Sequence, residues 1–198
     1  MRKQRERDLR ERLKELIIER SFLYSEEPKF RLASGRISNY YINCKPVTMD
    51  PEGLYLIGNI LFDMLESIDI DAVGGLTLGA DPIAYAVSYT SYLRGKPIRA
   101  FVVRKEQKDH GTGKLVEGNV KEGDRVVIIE DVITTGSSTL KAYRALKELG
   151  ADIVGIVAIV LRPEDKEEEF LKLNLPVWPI FEVDELKRAY MERRSGLR

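Results

Sequence analysis

The feature that most constrains the fold is an alternation of apolar runs with helix signals across residues 72–160. The apolar runs read AVGGL, IRAFVV, RVVIIE and DIVGIVAIV. Helices are predicted between them, one beginning at Asp81-Pro82 and one running from Ser137 to Leu149, where Gly150 stops it. Uninterrupted apolar strands are expected when helices cover both faces of a parallel sheet. The sequence therefore predicts an α/β fold with a doubly wound, mainly parallel sheet.

Further elements are predicted on either side of this alternation. The first 20 residues form an amphipathic helix with Leu9, Leu13, Leu16 and Ile17 on one face. Asp50-Pro51 is an N-cap followed by proline, and it predicts a helix from about 51 to 67. Between these helices, the polar and aromatic segment of about 20–48 is interpreted as a small hood, in which residues 40–42 form a strand.

The C-terminal part predicts a short strand around Val177 to Phe181 and a helix beginning after Asp184. With 43% hydrophobic residues, a chain of 198 residues suits one core, so we expect a single domain over 1–198.

Composition excludes several classes of function. The 32 basic and 32 acidic residues cancel, which argues against a nucleic-acid or membrane partner and favours a small-molecule ligand. The only cysteine, Cys44, cannot form an internal disulfide, and no stretch is long and apolar enough to span a bilayer, so a cytoplasmic location is expected. His110 is the only histidine, which excludes a multi-histidine metal site. Any metal is expected to be held by oxygen atoms.

The strongest chemical signal is the segment VVIIEDVITTGSST, residues 126–139. An apolar strand ends in Glu130 and Asp131, and a loop of small residues then enters a helix. Backbone N–H groups, hydroxyls and the helix N-terminus can bind a phosphate. The two acids can accept hydrogen bonds from ribose hydroxyls, so the segment is interpreted as a site for a ribose 5-phosphate.

Two alternatives apply to this segment. Any doubly wound domain has a polar turn before a capped helix, and serine or threonine there can serve only as a cap. A receiver domain also has an acid pair at the end of its first strand, but it needs about a hundred further residues, which the chain after Asp131 does not supply.

The order of elements and the run EDVITTGSS resemble the phosphoribosyl-pyrophosphate motif of type I phosphoribosyltransferases. The resemblance implies that Glu130 and Asp131 hold the ribose hydroxyls and that residues 134–138 hold the 5-phosphate. It also implies a bridging Mg²⁺ ion as cofactor, for which no direct protein ligand is predicted. The phosphoribosyl-pyrophosphate site then includes Glu130, Asp131, Val132, Ile133, Thr134, Thr135, Gly136, Ser137 and Ser138.

The segment RKEQKDHGTGKLVEG, residues 104–118, combines clustered cations with glycines and predicts a mobile lid for an anion. A solvated charged hairpin is the alternative. The spacing of Arg104, Lys105, Lys108 and His110 resembles the catalytic loop of the orotate phosphoribosyltransferases. That resemblance implies that all four side chains contact pyrophosphate, that Lys108, His110 and Asp131 are catalytic, and that the lid closes over the partner's site in a homodimer.

Arg162 ends the last long apolar run, at the end of a strand where open α/β sheets bind ligands. The resemblance implies that Arg162 and Thr134 bind orotate; a loop arginine exposed by Pro163 is the alternative. The hood segment FRLASGRISNYYI and the loop GGLTLGADPIA, residues 74–84, also resemble the family. Ala33 and Leu78 stand where many members have lysine.

The implied reaction transfers ribose 5-phosphate from phosphoribosyl pyrophosphate to orotate, giving orotidine 5-phosphate and pyrophosphate in pyrimidine biosynthesis. Such an enzyme is a glycosyltransferase of the pentosyltransferase class. A phosphoribosyltransferase for another base is one rival, and the lid spacing argues against it. A DNA-binding regulator that senses phosphoribosyl pyrophosphate is another, but the N-terminal helix leaves no room for a DNA-binding module. The third is a phosphate-binding α/β domain of another role.

Overall fold

A six-stranded sheet forms the centre of the computed structural model, which describes residues 2–32, 35–106, 114–162 and 166–196. Its strands, in spatial order, are β10 (Val177–Glu182), β9 (Asp152–Leu161), β8 (Arg125–Ile133), β5 (Ala72–Leu76), β6 (Arg99–Val103) and β7 (Val116–Gly118). Neighbouring strands are parallel except β7, which pairs antiparallel with β6. The predicted doubly wound, mainly parallel sheet is confirmed.

Helices cover both faces of this sheet, and each face has its own apolar core. One core contains residues of α1 (Arg2–Arg20), α3 (Pro51–Leu65), α4 (Asp81–Leu93) and α7 (Val183–Arg194). The opposite core contains residues of α5 (Ser137–Leu149) and α6 (Glu168–Leu171). Burial on both faces explains why the central strands are continuous apolar runs.

Helix ends follow the local signals. The Asp50 carboxylate accepts hydrogen bonds from the backbone N–H of Glu52 at 2.9 Å and of Gly53 at 3.2 Å, and Pro51 occupies the first helical position. Gly150, at φ 83°, ends α5 in the left-handed conformation that glycine adopts without strain. The C-terminal helix begins at Val183, one residue before Asp184, because β10 runs directly into it.

Two short antiparallel pairs lie in the segment predicted as a hood. Strand β1 (Phe22–Tyr24) pairs with β4 (Tyr40–Ile42), and β2 (Phe30–Arg31) pairs with β3 (Ile37–Ser38). A short helix, α2 (Lys45–Thr48), leads from β4 towards α3. Ala33 and Ser34, which belong to the predicted hood motif, lie outside the described residues.

Among the helices of the described residues, none combines the length and the apolar character that a membrane span requires.

Candidate active site

A cavity of about 390 Å³ opens at the carboxyl ends of β8 and β9, beside the hood. It is lined by Arg31, Leu32, Tyr41, Ile42, Asn43, Lys45, Asp131, Val132, Thr134, Ser138 and Arg162. Five of these, from Asp131 to Arg162, are residues that the sequence predicts for substrate binding. They meet because β8 and β9 are parallel neighbours, and the backbone N–H of Arg162 donates to the Ile133 carbonyl at 2.9 Å. The two strand ends therefore present the acid, the hydroxyl loop and the arginine to one space.

The loop of residues 134–138 is held in place by the segment that leads into α6. The backbone N–H of Glu167 donates to the Thr135 carbonyl at 2.8 Å, and the Thr135 hydroxyl accepts from the Ser137 N–H at 3.2 Å. Gly136 has φ 87°, and a Cβ there would collide with the Phe170 ring. Gly136 has no side chain to cap α5, so the N–H groups of the first turn after Ser137 receive no capping hydrogen bond from it.

Asp131 is half-buried at the cavity wall, and its Oδ1 accepts a hydrogen bond from the Val132 N–H at 2.8 Å. The loop after β5 approaches it closely, since a Cβ on Gly79 would lie 3.0 Å from Asp131 Oδ1. A larger residue than glycine at position 79 would therefore displace the carboxylate. Leu78, joined to Thr77 by a cis peptide bond, is exposed beside this contact.

Glu130 is separated from Asp131 because successive residues of a strand point to opposite faces. Its side chain is only 5% exposed, and it does not line the cavity described above. Among the described residues, Glu130 Oε1 has no hydrogen-bond partner. Burial, followed by the charge of Asp131, raises the pKa of Glu130 to about 8, and the Thr139 hydroxyl opposes this shift.

Arg162 is 2% exposed, which excludes the exposed loop arginine that Pro163 could have produced. Its Nη2 donates to the Tyr40 hydroxyl at 2.9 Å, and its Cζ lies 4.4 Å from the centroid of the Tyr40 ring. Its Nε finds no hydrogen-bond partner among the described residues. The guanidinium is therefore buried at the wall of the cavity with one donor that has no partner in the described part of the chain.

Two of the four lid side chains predicted to contact pyrophosphate, Arg104 and Lys105, lie in a different place. Arg104 and Lys105 line a second cavity of about 630 Å³, together with Thr77, Tyr85, Val102, Glu106 and Glu117. The Arg104 backbone N–H donates to the Leu115 carbonyl at 2.8 Å, which closes the base of the segment. Lys108 and His110 lie outside the described residues. Of the described lid side chains, Arg104 and Lys105 therefore do not line the cavity that contains Asp131.

Comparison with known proteins identifies the family. A model of the phosphoribosyl transferase domain matches residues 49–185. The orotate phosphoribosyltransferase of Aquifex aeolicus (strain VF5) is 47% identical over 177 residues, which are 89% of this chain and 97% of that protein. A crystal structure of the Mycobacterium tuberculosis H37Rv orotate phosphoribosyltransferase superposes with a TM-score of 0.77 at 35% identity, covering 90% of this chain and 98% of that one. The chain belongs to the orotate phosphoribosyltransferase family.

These matches confirm the orotate phosphoribosyltransferase family, the fold class and the pentosyltransferase enzyme class that were predicted from the sequence. The same Mycobacterium enzyme has been solved in complex with phosphoribosyl pyrophosphate, and that structure has a TM-score of 0.72 at 31% identity, over 90% of this chain and 92% of that one. An adenine phosphoribosyltransferase from Leishmania tarentolae matches with a TM-score of 0.59 at 18% identity, which shows the shared fold alone.

The hood contributes cavity residues that the sequence analysis does not identify as candidate site residues. Arg31, Asn43 and Lys45 line the same cavity as Asp131 and Arg162. Arg31 belongs to a two-residue strand and Lys45 to a four-residue helix, so neither lies in a segment with a readable period. The aromatic run at residues 40–42 is the sequence signal in this segment, and it predicts only a strand.

Proposed function

We propose that the protein transfers the ribose 5-phosphate group of phosphoribosyl pyrophosphate to orotate, releasing pyrophosphate and orotidine 5-phosphate for pyrimidine synthesis. The observation that carries the proposal is the single cavity in which the phosphate loop, Asp131 and the buried Arg162 meet. These groups match, in that order, a phosphate, a ribose and an anionic base. The whole chain, 1–198, is proposed to act as one domain, with a hood at about 20–48 and a lid at 104–118.

The phosphate end of the substrate is assigned to residues 134–138. Thr134 and Ser138 line the same cavity, one before and one within the first turn of α5. A helix N-terminus favours a dianion through its unpaired N–H groups and its dipole. The contacts of Thr135 and Gly136 with the α6 segment keep this loop in position before the ligand arrives.

The ribose is assigned to the acid pair at the end of β8. Asp131 faces the cavity and can accept hydrogen bonds from the ribose hydroxyls, while Glu130 is proposed to assist from its buried position. Displacement at the anomeric carbon passes through an oxocarbenium-like state, as glycoside chemistry does. A carboxylate beside the sugar stabilises the positive charge that develops there.

The base is assigned to Arg162, with Thr134 beside it. Arginine presents a planar set of donors that suits carboxylate and carbonyl oxygens. Arg162 lines the cavity that such a base would enter, and its Nε has no hydrogen-bond partner among the described residues. Arg31 and Lys45 add positive charge at the same wall. An anionic pyrimidine is therefore favoured over an uncharged purine.

The leaving pyrophosphate is assigned to the lid. Arg104, Lys105, Lys108 and His110 are proposed to offset its negative charge, with Lys108 and His110 acting together with Asp131 in catalysis. Closure of the lid would also exclude water, which otherwise hydrolyses an activated sugar. No protein nucleophile is needed in this mechanism.

Mg²⁺ is the proposed cofactor. The described residues contain no group of three or more His, Cys, Asp or Glu side chains that could enclose a metal. The cavity wall does carry Asp131, an oxygen donor of the type that Mg²⁺ prefers, and this ion is commonly held by few protein groups and by substrate phosphates. Asp131 would help to hold the Mg²⁺ ion indirectly, by binding the ribose hydroxyls of the substrate. When bound, the ion neutralises pyrophosphate charge.

A homodimer with shared active sites is part of the proposal. Helices α3 and α4 present an exposed aromatic face, which we call the tyrosine face: Tyr55, Tyr85, Tyr89, Tyr92 and Leu93. Apolar surface of this kind commonly marks a protein interface. Tyr85 also lines the cavity that contains Arg104 and Lys105, so the base of the lid adjoins this face. A second copy docked there would lie within reach of the lid.

A cytoplasmic location belongs to the same proposal. It is supported by the single cysteine, Cys44, which is buried, and by the balanced charge of the chain. The balanced charge also supports small molecules, not nucleic acid or membrane, as partners.

Turnover of different bases tests the function. Purified protein is mixed with phosphoribosyl pyrophosphate, Mg²⁺ and one base at a time, either orotate, uracil, adenine or hypoxanthine, and the base absorbance is followed. We expect orotate to be consumed with one pyrophosphate released for each base, and no comparable turnover of the other three. Equal or faster use of a purine would remove the assignment.

A further inference from the structure

The guanidinium of Arg162 is held by one aromatic side chain. In the described part of the chain, its single hydrogen-bonded side-chain partner is the Tyr40 hydroxyl, at 2.9 Å. The Tyr40 ring lies 4.4 Å from Arg162 Cζ, so the same residue also offers a cation–π contact. A buried cation is costly without partners. Within the described residues, Tyr40 is therefore the side chain that stabilises the buried guanidinium of Arg162.

Tyr40 is in turn fixed on several sides. It is buried in β4, and its ring stacks on Phe22 of β1 with centroids 5.9 Å apart and planes 2° apart. Phe22 contacts Tyr190 of the C-terminal helix at 4.9 Å. From the same helix, Lys187 Nζ lies 4.2 Å from the Tyr40 ring centroid. Contacts from β1 and α7 therefore help to fix the position of the ring.

This arrangement restricts the direction of the remaining donors of Arg162. The guanidinium is planar, so fixing Nη2 and the stacking distance also limits where Nε and Nη1 point. Nε has no partner within the described residues, and Arg162 lines the cavity assigned to the base. Binding groups need support of this kind, because small misplacements of a polar contact cost affinity.

We propose that Tyr40 is a positioning residue that sets the orientation of Arg162 for the base, with its hydroxyl as the orienting group and the Phe22–Tyr190 contact as its support. This inference deepens the proposed function and rests on it, since Arg162 is assigned there to orotate. Tyr40 itself is not placed in contact with the reacting atoms.

The test removes the hydroxyl and keeps the ring. Tyr40→Phe should raise the KM for orotate about tenfold, the effect of one lost hydrogen bond to a charged group. The KM for phosphoribosyl pyrophosphate and the melting temperature should stay near wild-type values. Tyr24→Phe is the matched control, because Tyr24 pairs with Tyr40 across β1 and β4 and contacts Tyr190 and Arg194 instead of Arg162. It should leave both KM values unchanged.

A double-mutant cycle separates positioning from a general structural role. If Tyr40 acts through Arg162, Tyr40→Phe should cost nothing further in an Arg162→Ala background. Three outcomes would each overturn the proposal. Tyr40→Phe could raise the orotate KM by the same factor in the Arg162→Ala background as in the wild type. The Tyr40→Phe single variant could leave the orotate KM unchanged, or it could raise the KM values of both substrates equally. Wild-type activity is measured first. Wild-type protein that does not consume orotate would overturn the proposed function, and this inference with it, before any variant is compared.

Discussion

Replacing Glu130 with glutamine should reduce the dependence of stability on pH. Burial and the neighbouring Asp131 charge raise the pKa of Glu130 from 4.5 to about 8. The folded protein therefore keeps a proton that the unfolded chain releases above pH 4.5. Stability from this group is fully present below pH 4.5 and is lost as the pH rises towards 8 and beyond, because the folded state binds more protons in that window.

The magnitude follows from the width of this window. One pH unit corresponds to about 1.4 kcal/mol for each proton that the two states bind differently. Between pH 5 and pH 8, the free energy of unfolding of the wild-type protein should fall by roughly 3 kcal/mol from this group alone. Glutamine is uncharged at every pH and close in size, so this contribution to the slope should disappear in Glu130→Gln.

Urea denaturation at several pH values between 5 and 9 measures the difference. Urea is chosen because it is uncharged and does not screen the Glu130–Asp131 interaction. At pH 5 the two proteins should have similar unfolding free energies, which makes that pH an internal control, and above pH 8 the glutamine variant should be the more stable. Parallel pH profiles, or a variant that loses stability relative to wild type as pH rises, would refute the burial argument.

Four further outcomes are expected. Arg162→Ala should weaken orotate by on the order of 2 to 4 kcal/mol, measured as its KM, with phosphoribosyl pyrophosphate less affected. Asp131→Asn should raise the KM for phosphoribosyl pyrophosphate and lower kcat while circular dichroism shows an intact fold; an unfolded variant would indicate a structural role. Gly136→Ala should raise the KM for phosphoribosyl pyrophosphate because its Cβ meets the Phe170 ring. Gly123→Ala is the control: Gly123 has φ 79° and open space around it, so this variant should lose only about 1 kcal/mol of stability. If lids act in the partner's site, mixed dimers of Lys108→Ala with Asp131→Asn should be more active than the mean of the two parent variants. Mass spectrometry confirms that mixed dimers have formed. No gain in activity in confirmed mixed dimers would exclude the shared site.

The parts of the fold that could be predicted are those decided by local chemistry and by burial on two faces. The run DIVGIVAIV is apolar at nearly every position because helices cover both sides of β9, and it could be recognised without knowing its neighbours. Asp50 and Gly150 mark a helix start and a helix end through hydrogen bonding and backbone conformation within a few residues. Such signals do not depend on the rest of the chain.

The parts of the site that could not be predicted depend on contacts between distant segments. Arg31 of β2 and Lys45 of α2 line the cavity because the hood lies beside the end of β8, and no periodic pattern in the sequence predicts this. From the sequence, Glu130 and Asp131 are predicted to bind the ribose together. In the structure, side chains alternate along β8, so Glu130 lies towards Thr139 of α5 and Asp131 lines the cavity. The hydrogen bond from Arg162 to Tyr40 joins residues 122 positions apart.

A crystal structure with orotidine 5-phosphate tests the central claim most directly, because that molecule carries the phosphate, the ribose and the base together. We predict its phosphate at residues 134–138, its ribose hydroxyls on Asp131 and its base within hydrogen-bonding distance of Arg162. A nucleotide bound elsewhere, or bound at the loop with its base turned away from Arg162, would contradict the account.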